Sequence, residues 1–85
     1  MITQKADGTT VPVQPGDTLH FKLKKDLAWK IVSIPHMTDL VTPPASGRFV
    51  LHVNRAGDGM VKALGTCPGC KDVQYTVDIK AYWIP

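Results

Sequence analysis

The strongest constraint on the fold is an alternation of apolar and polar residues near the end of the chain. Apolar side chains occupy every second position there: Val73, Tyr75, Val77, Ile79, Ala81 and Trp83. The positions between them carry Gln74, Thr76, Asp78 and Lys80. Successive side chains of a β-strand point to opposite faces, so a period of two indicates a strand with one buried face. The pattern predicts one long final strand over residues 73–83.

Shorter segments between glycines and prolines carry related patterns. Seven Gly and seven Pro divide the 85 residues into short stretches, a spacing typical of all-β domains. Further strands are predicted at Thr9–Val13, Thr18–Lys24, Leu27–Ile34, Arg48–Val53 and Met60–Leu64. Pro12 favours a sheet edge for the first, and the nearly continuous apolar character of Leu27–Ile34 predicts a strand covered on both faces. Residues 36–47 are predicted to be an irregular connection with one short strand or turn.

The acidic residues add a second argument for β-structure. All seven are Asp and none is Glu, and Asp favours caps and turns whereas Glu is a strong helix former. The chain is therefore predicted to be all-β, with six or seven strands in a small antiparallel β-sandwich or barrel. The resemblance described below favours the immunoglobulin-like β-sandwich. A chain of this length supports one hydrophobic core, so residues 1–85 are predicted to form a single domain.

Charge and hydropathy narrow the classes of partner. No apolar run approaches the roughly 18 residues that a bilayer crossing needs, so no membrane insertion is expected. The net charge is +3, with Lys22, Lys24, Lys25 and Lys30 close together in sequence. This cluster could attract an anionic partner or could be a solvated strand face. Only two Arg are present, and because Arg supplies most bidentate contacts to phosphates and bases, no nucleic-acid partner is expected.

The most specific local motif is Cys67-Pro68-Gly69-Cys70. Pro followed by Gly favours a type II turn, whose ends lie under about 7 Å apart, within reach of a disulfide. A disulfide would imply an extracellular or periplasmic location. Alternatively, Cys67 and Cys70 form part of a metal site with His36 as a further candidate ligand. A redox role is the third possibility, although the predicted strand after the motif replaces the helix that lowers thiol pKa values in thioredoxin-like proteins.

The order of the predicted strands resembles a known family. Four features follow one another in the order found in chagasin-type cysteine-protease inhibitors. They are the run Gly16-Asp17-Thr18-Leu19, Trp29, the strand Phe49–Val53 with Ala56-Gly57, and the strand Val73–Ile79. The resemblance implies an immunoglobulin-like sandwich. The inhibitory motifs of that family are not matched, because Lys25-Asp26-Leu27-Ala28 replaces Asn-Pro-Thr-Thr-Gly and Thr66–Cys70 replaces Arg-Pro-Trp. The resemblance therefore carries over the fold and no inhibitory residue.

A second, weaker resemblance is to cupredoxins, which also begin with a Gly-Asp-Thr strand and place a Cys where Cys67 stands. A blue-copper site needs two His, one Cys and usually Met. Neither His nor Met follows Cys67, so the ligand loop of that family is not reproduced.

These observations favour a binding function. No catalytic constellation stands out, and His20 and His52 fall on the polar faces of their strands. The leading hypothesis is a non-enzymatic protein-binding or interaction module that recognises a protein partner or itself and needs no cofactor. One alternative is a structural or assembly subunit of a larger complex or virion, suggested by the apolar end Tyr82-Trp83-Ile84. Another is a small metal-binding or redox protein that uses Cys67 and Cys70.

Overall fold

The computed structural model describes residues 2–83, whose regular secondary structure is nearly all β-strand. In chain order the strands are β1 (Ile2–Thr3), β2 (Thr10–Val13), β3 (Thr18–Lys22), β4 (Ala28–Ser33), β5 (Thr38–Ala45), β6 (Arg48–Val53), β7 (Gly57–Thr66) and β8 (Val73–Ala81). One turn of 3₁₀ helix, Gln4–Ala6, separates β1 from β2. The all-β class is confirmed, with eight strands rather than six or seven. Two-residue β1 is added, and the short strand or turn predicted within residues 36–47 is the longer strand β5.

The strands form two four-stranded sheets. Sheet A has the order β1-β3-β6-β5, and sheet B has the order β2-β8-β7-β4. The inner pairings are antiparallel, as predicted, but β1 pairs in parallel with β3 and β2 in parallel with β8. The N-terminal segment runs beside β3, crosses between the sheets at the 3₁₀ helix, and returns beside β8. The sandwich is therefore confirmed with mixed rather than purely antiparallel sheets.

The core lies between the inward faces of the two sheets. Phe21 and Phe49 are directly opposite each other in β3 and β6, with stacked rings whose centroids are 4.4 Å apart. Burial of one large apolar side chain contributes about 1.5–3 kcal/mol relative to exposure. The buried apolar residues are Ile2, Val13, Leu19, Phe21, Leu23, Met37, Phe49, Leu51, Val53, Val61, Ala63, Tyr75, Val77, Ile79 and Ala81. The predicted inward positions of Leu19, Phe21, Leu51 and Val77 are among them.

Strand β4 differs from its prediction. It is an edge strand of sheet B rather than a strand covered on both faces, and Val32 is 60% exposed. The apolar residues Trp29 and Ile31 of β4 are partly buried and pack against the edge of the core. The register shifts between Ile31 and Ser33, as at a β-bulge, which interrupts the alternation.

Residues 36–47 also differ from their prediction, since they contain the eight-residue strand β5. Its register against β6 shifts between Leu40 and Thr42 and again between Thr42 and Ala45. Bulges of this kind remove the period of two that identifies a strand in sequence. Pro43 and Pro44 are tolerated because β5 is the edge strand of sheet A.

The final strand ends earlier than predicted. β8 stops at Ala81, where the backbone N–H of Tyr82 donates to the carbonyl of Val13. Trp83 is 71% exposed, so its predicted place on the inward face is wrong. Ile84 lies outside the described residues.

Tyr75 connects the two sheets near the centre of the core. Its ring is fully buried in β8, and its hydroxyl donates to the backbone carbonyl of Thr3 in β1 at 2.9 Å. Burial, with a smaller contribution from the Asp7 carboxylate, raises the pKa of this hydroxyl from 10.0 to about 12. The folded chain therefore favours neutral Tyr75.

We expect Tyr75→Phe to lower the free energy of unfolding at neutral pH. We also expect this free energy to decrease less between pH 8 and pH 12 in the variant than in the parent chain. Loss of the hydrogen bond to Thr3 costs about 1 kcal/mol. In the parent chain, unfolded tyrosine ionises near pH 10 while folded Tyr75 resists ionisation until about pH 12. Its contribution is complete below pH 10 and is lost as pH rises through 12, a fall of roughly 2–3 kcal/mol.

Urea unfolding between pH 8 and pH 12 measures this effect. The control is Tyr82→Phe, because Tyr82 is 48% exposed and lies outside the core. Equal alkaline losses in the parent chain and Tyr75→Phe would contradict the assignment.

Candidate functional site

Three connections between strands lie together at one end of the sandwich. They are residues 23–27 between β3 and β4, Ser46-Gly47 between β5 and β6, and residues 67–72 between β7 and β8. We call these three segments the loop end. The antiparallel pairings of β3 with β6 and of β4 with β7 bring all three to the same side of the core. Loops placed by a rigid scaffold are a common location for binding sites.

The first two connections are joined by the backbone. The N–H of Leu23 donates to the carbonyl of Gly47 at 2.7 Å, and Leu23 is buried. Ser46 and Gly47 have φ of 52° and 77°, and their neighbours Ala45 and Arg48 pair across the strands. A two-residue loop with positive φ at both positions is a type I′ hairpin turn. The short turn fixes where residues 23–27 leave the sheet.

Trp29 fastens the first connection to sheet B. Its indole N–H donates to the carbonyl of Lys24 at 2.7 Å, and its ring meets that of Tyr75 edge-on at 6.3 Å. A side chain added at Gly65 in β7 would begin about 3.0 Å from atoms of both Leu27 and Trp29. The first connection is therefore packed against the end of β7, two residues before the third connection begins.

The third connection contains the predicted Cys turn. Gly69 has φ of 74°, as a type II turn requires, and the Cys70 N–H donates to the Cys67 carbonyl at 3.3 Å. The structure pairs Cys67 with Cys70, and their Cα atoms are 5.5 Å apart, within the range that a disulfide spans. Cys67 is half-buried, whereas Pro68 and Cys70 are exposed. The turn has the geometry that a small disulfide requires.

The exposed part of the loop end is charged. Lys24, Lys25 and Asp26 are exposed in the first connection, and Lys71 and Asp72 are exposed in the third. The rigid parts of the surface are the short turns and the indole-anchored backbone, and the charged side chains project from them. Such a surface can recognise another protein by shape and charge.

The candidate metal ligands are not brought together. His36 lies beside Gly57 at the start of β7, whereas Cys67 directly follows the last residue of that strand. A ten-residue strand spans roughly 33 Å at about 3.3 Å per residue. Among residues 2–83, no group of three or more His, Cys, Asp or Glu side chains could hold a metal ion.

The other residues singled out from the sequence lie elsewhere. His20 is exposed on the outer face of sheet A, and half-buried His52 is paired with Thr18 and Asp39 in register. Tyr82 and Trp83 form an exposed apolar end. Within residues 2–83, the structure contains no helix with the length and apolar character that a membrane crossing requires.

Comparison with known proteins identifies the fold. No protein-family model and no curated protein matches the chain. A cysteine protease inhibitor from Entamoeba histolytica matches with a TM-score of 0.70 and 18% identity, over 95% of this chain and 92% of the inhibitor. The solution structure of amebosin matches with a TM-score of 0.65 and 15% identity, over 95% of both chains. A titin domain matches with a TM-score of 0.50 and 11% identity, over 91% of this chain and 89% of that domain.

These likenesses confirm an immunoglobulin-like sandwich of the kind found in chagasin-type inhibitors. At such low identity they establish the fold alone. The type I′ turn at Ser46-Gly47 was not predicted, although the Ser-Gly pair is itself a turn signal. The convergence of the three connections depends on the pairing of distant strands, so no local pattern could have identified it.

We expect Gly47→Ala to disturb the loop end more than Gly16→Ala. Both glycines have positive φ, so an alanine at either position costs roughly 1–2 kcal/mol. At Gly47 the added carbon would also begin 2.6 Å from the carbonyl oxygen of Leu23, whereas at Gly16 no atom lies within 4 Å. Overpacking against backbone adds about 1–3 kcal/mol. Urea unfolding of the two variants checks this, and equal losses would contradict the close contact.

Proposed function

We propose that this chain is a non-enzymatic protein-binding module that contacts its partner through the loop end, and that the partner is a cysteine protease. The observation that carries the proposal is the placement of the three connections at one end of the sandwich. The bond from Leu23 to Gly47 joins the first two connections, and the indole bond from Trp29 to Lys24 anchors the first to β4. No cofactor is needed for a function of this kind.

The fixed geometry of the loop end supports the first part of the proposal. Association loses free energy when mobile loops and side chains become ordered, at about 0.5–1.5 kcal/mol for each immobilised long side chain. The type I′ turn and the Trp29 anchor order much of this surface before any partner arrives. Exposed groups such as Lys25, Asp26 and Pro68 can then make contacts with little rearrangement.

The likeness of fold supports the second part. A cysteine protease inhibitor matches this chain over nearly all of both chains. The motifs of chagasin-type inhibitors are replaced by Lys25-Asp26-Leu27-Ala28 and by the Cys67–Cys70 turn. If this chain binds a protease, it therefore does so with contacts of its own, and its specificity should differ from that of chagasin-type inhibitors.

Inhibition of papain-type proteases by the full chain tests the proposal. Lys25→Ala combined with Asp26→Ala should weaken inhibition at least about tenfold, equivalent to 1.4 kcal/mol. The matched control combines Arg55→Ala with Asp58→Ala at the opposite end, which also removes one cation and one anion. It should inhibit like the parent chain. Equal losses in both variants, or no inhibition by the parent chain, would overturn the proposal.

The Cys turn gives a further proposal, a Cys67–Cys70 disulfide and with it an extracellular or periplasmic location. The Cα atoms of the two cysteines are 5.5 Å apart, within the range that a disulfide spans, and exposed Cys70 is accessible to oxidants and reductants. A bridge of such short span stabilises little through loop closure. Its expected effect is local: it holds the third connection in its type II turn.

Mass spectrometry after alkylation tests the disulfide. Protein prepared without reductant should take up no label, and reduced protein should take up two. The double variant Cys67→Ser with Cys70→Ser should take up none in either case, and should unfold at nearly the same urea concentration as the parent chain. Two labels without reduction would contradict the disulfide.

A further inference from the structure

A shallow groove flanked by three lysines lies beside the loop end on sheet A. It is open to solvent, with a volume of about 440 Å³, and residues 3–5 lie on one side of it and residues 22–24 on the other. Lys5, Lys22 and Lys24 are exposed at its sides. The backbone N–H of Lys24 donates to the side-chain oxygen of Gln4 at 3.3 Å, which joins the two walls.

Arg48 adds a fourth cation next to the groove. It pairs in register with Lys22 across β3 and β6, and both side chains are exposed. The neighbouring pair, Leu23 with Gly47, is hydrogen-bonded, so Lys22 and Arg48 occupy a non-hydrogen-bonded pair. Side chains approach most closely at such positions, and like charges directly opposite each other are destabilising. The pair of Lys22 and Arg48 is therefore not expected to stabilise the fold.

Three acidic side chains are engaged away from the groove. Asp17 accepts from the backbone N–H of Gln14 at the opposite end of the sandwich. Asp39 accepts a hydrogen bond from the side chain of Asn54, and Asp78 accepts one from that of Thr10. Two carboxylates lie nearer in sequence: Asp26, exposed two residues after Lys24, and Asp7, which follows Lys5 by two residues and accepts from the backbone N–H of Thr76. Four cations against two neighbouring carboxylates leave the groove with a net positive charge.

We infer that this groove binds an acidic segment of the protein partner. The inference rests on the proposed function and deepens it, because it names the chemistry of the partner surface that adjoins the loop end. Carboxylates bound between Lys5, Lys22 and Lys24 would neutralise the groove and relieve the repulsion between Lys22 and Arg48. Charge complementarity of this kind raises association rates and selects among partners.

The outer face of sheet A favours a protein segment over a nucleic acid. The outward positions of β3 and β6 carry Thr18, His20, Lys22, Arg48, Val50 and His52. None is Phe, Tyr or Trp, the side chains on which single-stranded bases most often stack. Arg48 is the only guanidinium in this row, whereas phosphate and base recognition relies heavily on arginine.

Fluorescence anisotropy with a labelled octaglutamate peptide tests the groove in the full chain. Binding should be measurable in about 20 mM salt and weaker in about 150 mM salt, where the Debye length is near 8 Å. Lys22→Glu should weaken binding at least about tenfold. The same variant should melt about 2–6 °C higher, because it replaces a like-charge pair by an opposite-charge pair with Arg48. If Tm rises while peptide binding weakens, the loss of binding cannot be explained by a loss of folding stability.

The matched control is Lys62→Glu, an equal charge change at an exposed position of sheet B opposite Thr76. It should alter binding less than about twofold. Equal losses in the two variants, equal binding of octaglutamine, or tighter binding of an eight-nucleotide oligothymidylate would each overturn the inference.

Protease inhibition separates this inference from the proposed function. Peptide binding without protease inhibition would support the acidic-segment site and overturn the proposed function. Protease inhibition without peptide binding would overturn the inference about the groove and would support the proposed binding through the loop end.

Discussion

The packing of β3 and β6 against β7 and β8 is the interaction on which the rest of the structure depends. These four strands supply most of the buried side chains, and each is paired on both sides within its sheet. The remaining strands are edges that complete the two sheets. The loop end inherits its rigidity from this core, because its connections begin beside buried Leu23, Gly47 and Gly65.

The sequence predicts β3, β6 and β8 well because one face of each is buried and the other is exposed. For β7 it predicts only Met60–Leu64, whereas the strand covers Gly57–Thr66, because glycines at its start resemble a turn. Arg48–Val53 and Val73–Ala81 alternate along their whole length, so their inward residues could be identified without a structure. Edge strands are subject to weaker constraints. β4 presents Val32 to solvent, and β5 shifts register at Thr42. In neither strand does the order of apolar and polar residues match the order of buried and exposed positions.

The parallel pairings could not be predicted for a different reason. They depend on where the N-terminal segment crosses from sheet A to sheet B, which is fixed by long-range contacts such as the bond from Tyr75 to Thr3. The same limit applies to the candidate site. The Cys67–Cys70 turn is encoded locally by Pro68 and Gly69. The distance between His36 and the cysteines depends instead on β7, because His36 lies beside the first residue of this ten-residue strand and Cys67 follows its last.

The groove and the loop end differ in what they contribute to recognition. Contacts at the loop end act at short range and depend on shape, because its turns are fixed by hydrogen bonds. The cations of the groove act over about a Debye length, roughly 8 Å at physiological salt, before any contact forms. Since Lys24 belongs to the first connection and also lines the groove, a partner attracted to the groove would arrive with its neighbouring surface facing the loop end. On this proposal, an anionic partner surface would also relieve the repulsion between the paired residues Lys22 and Arg48.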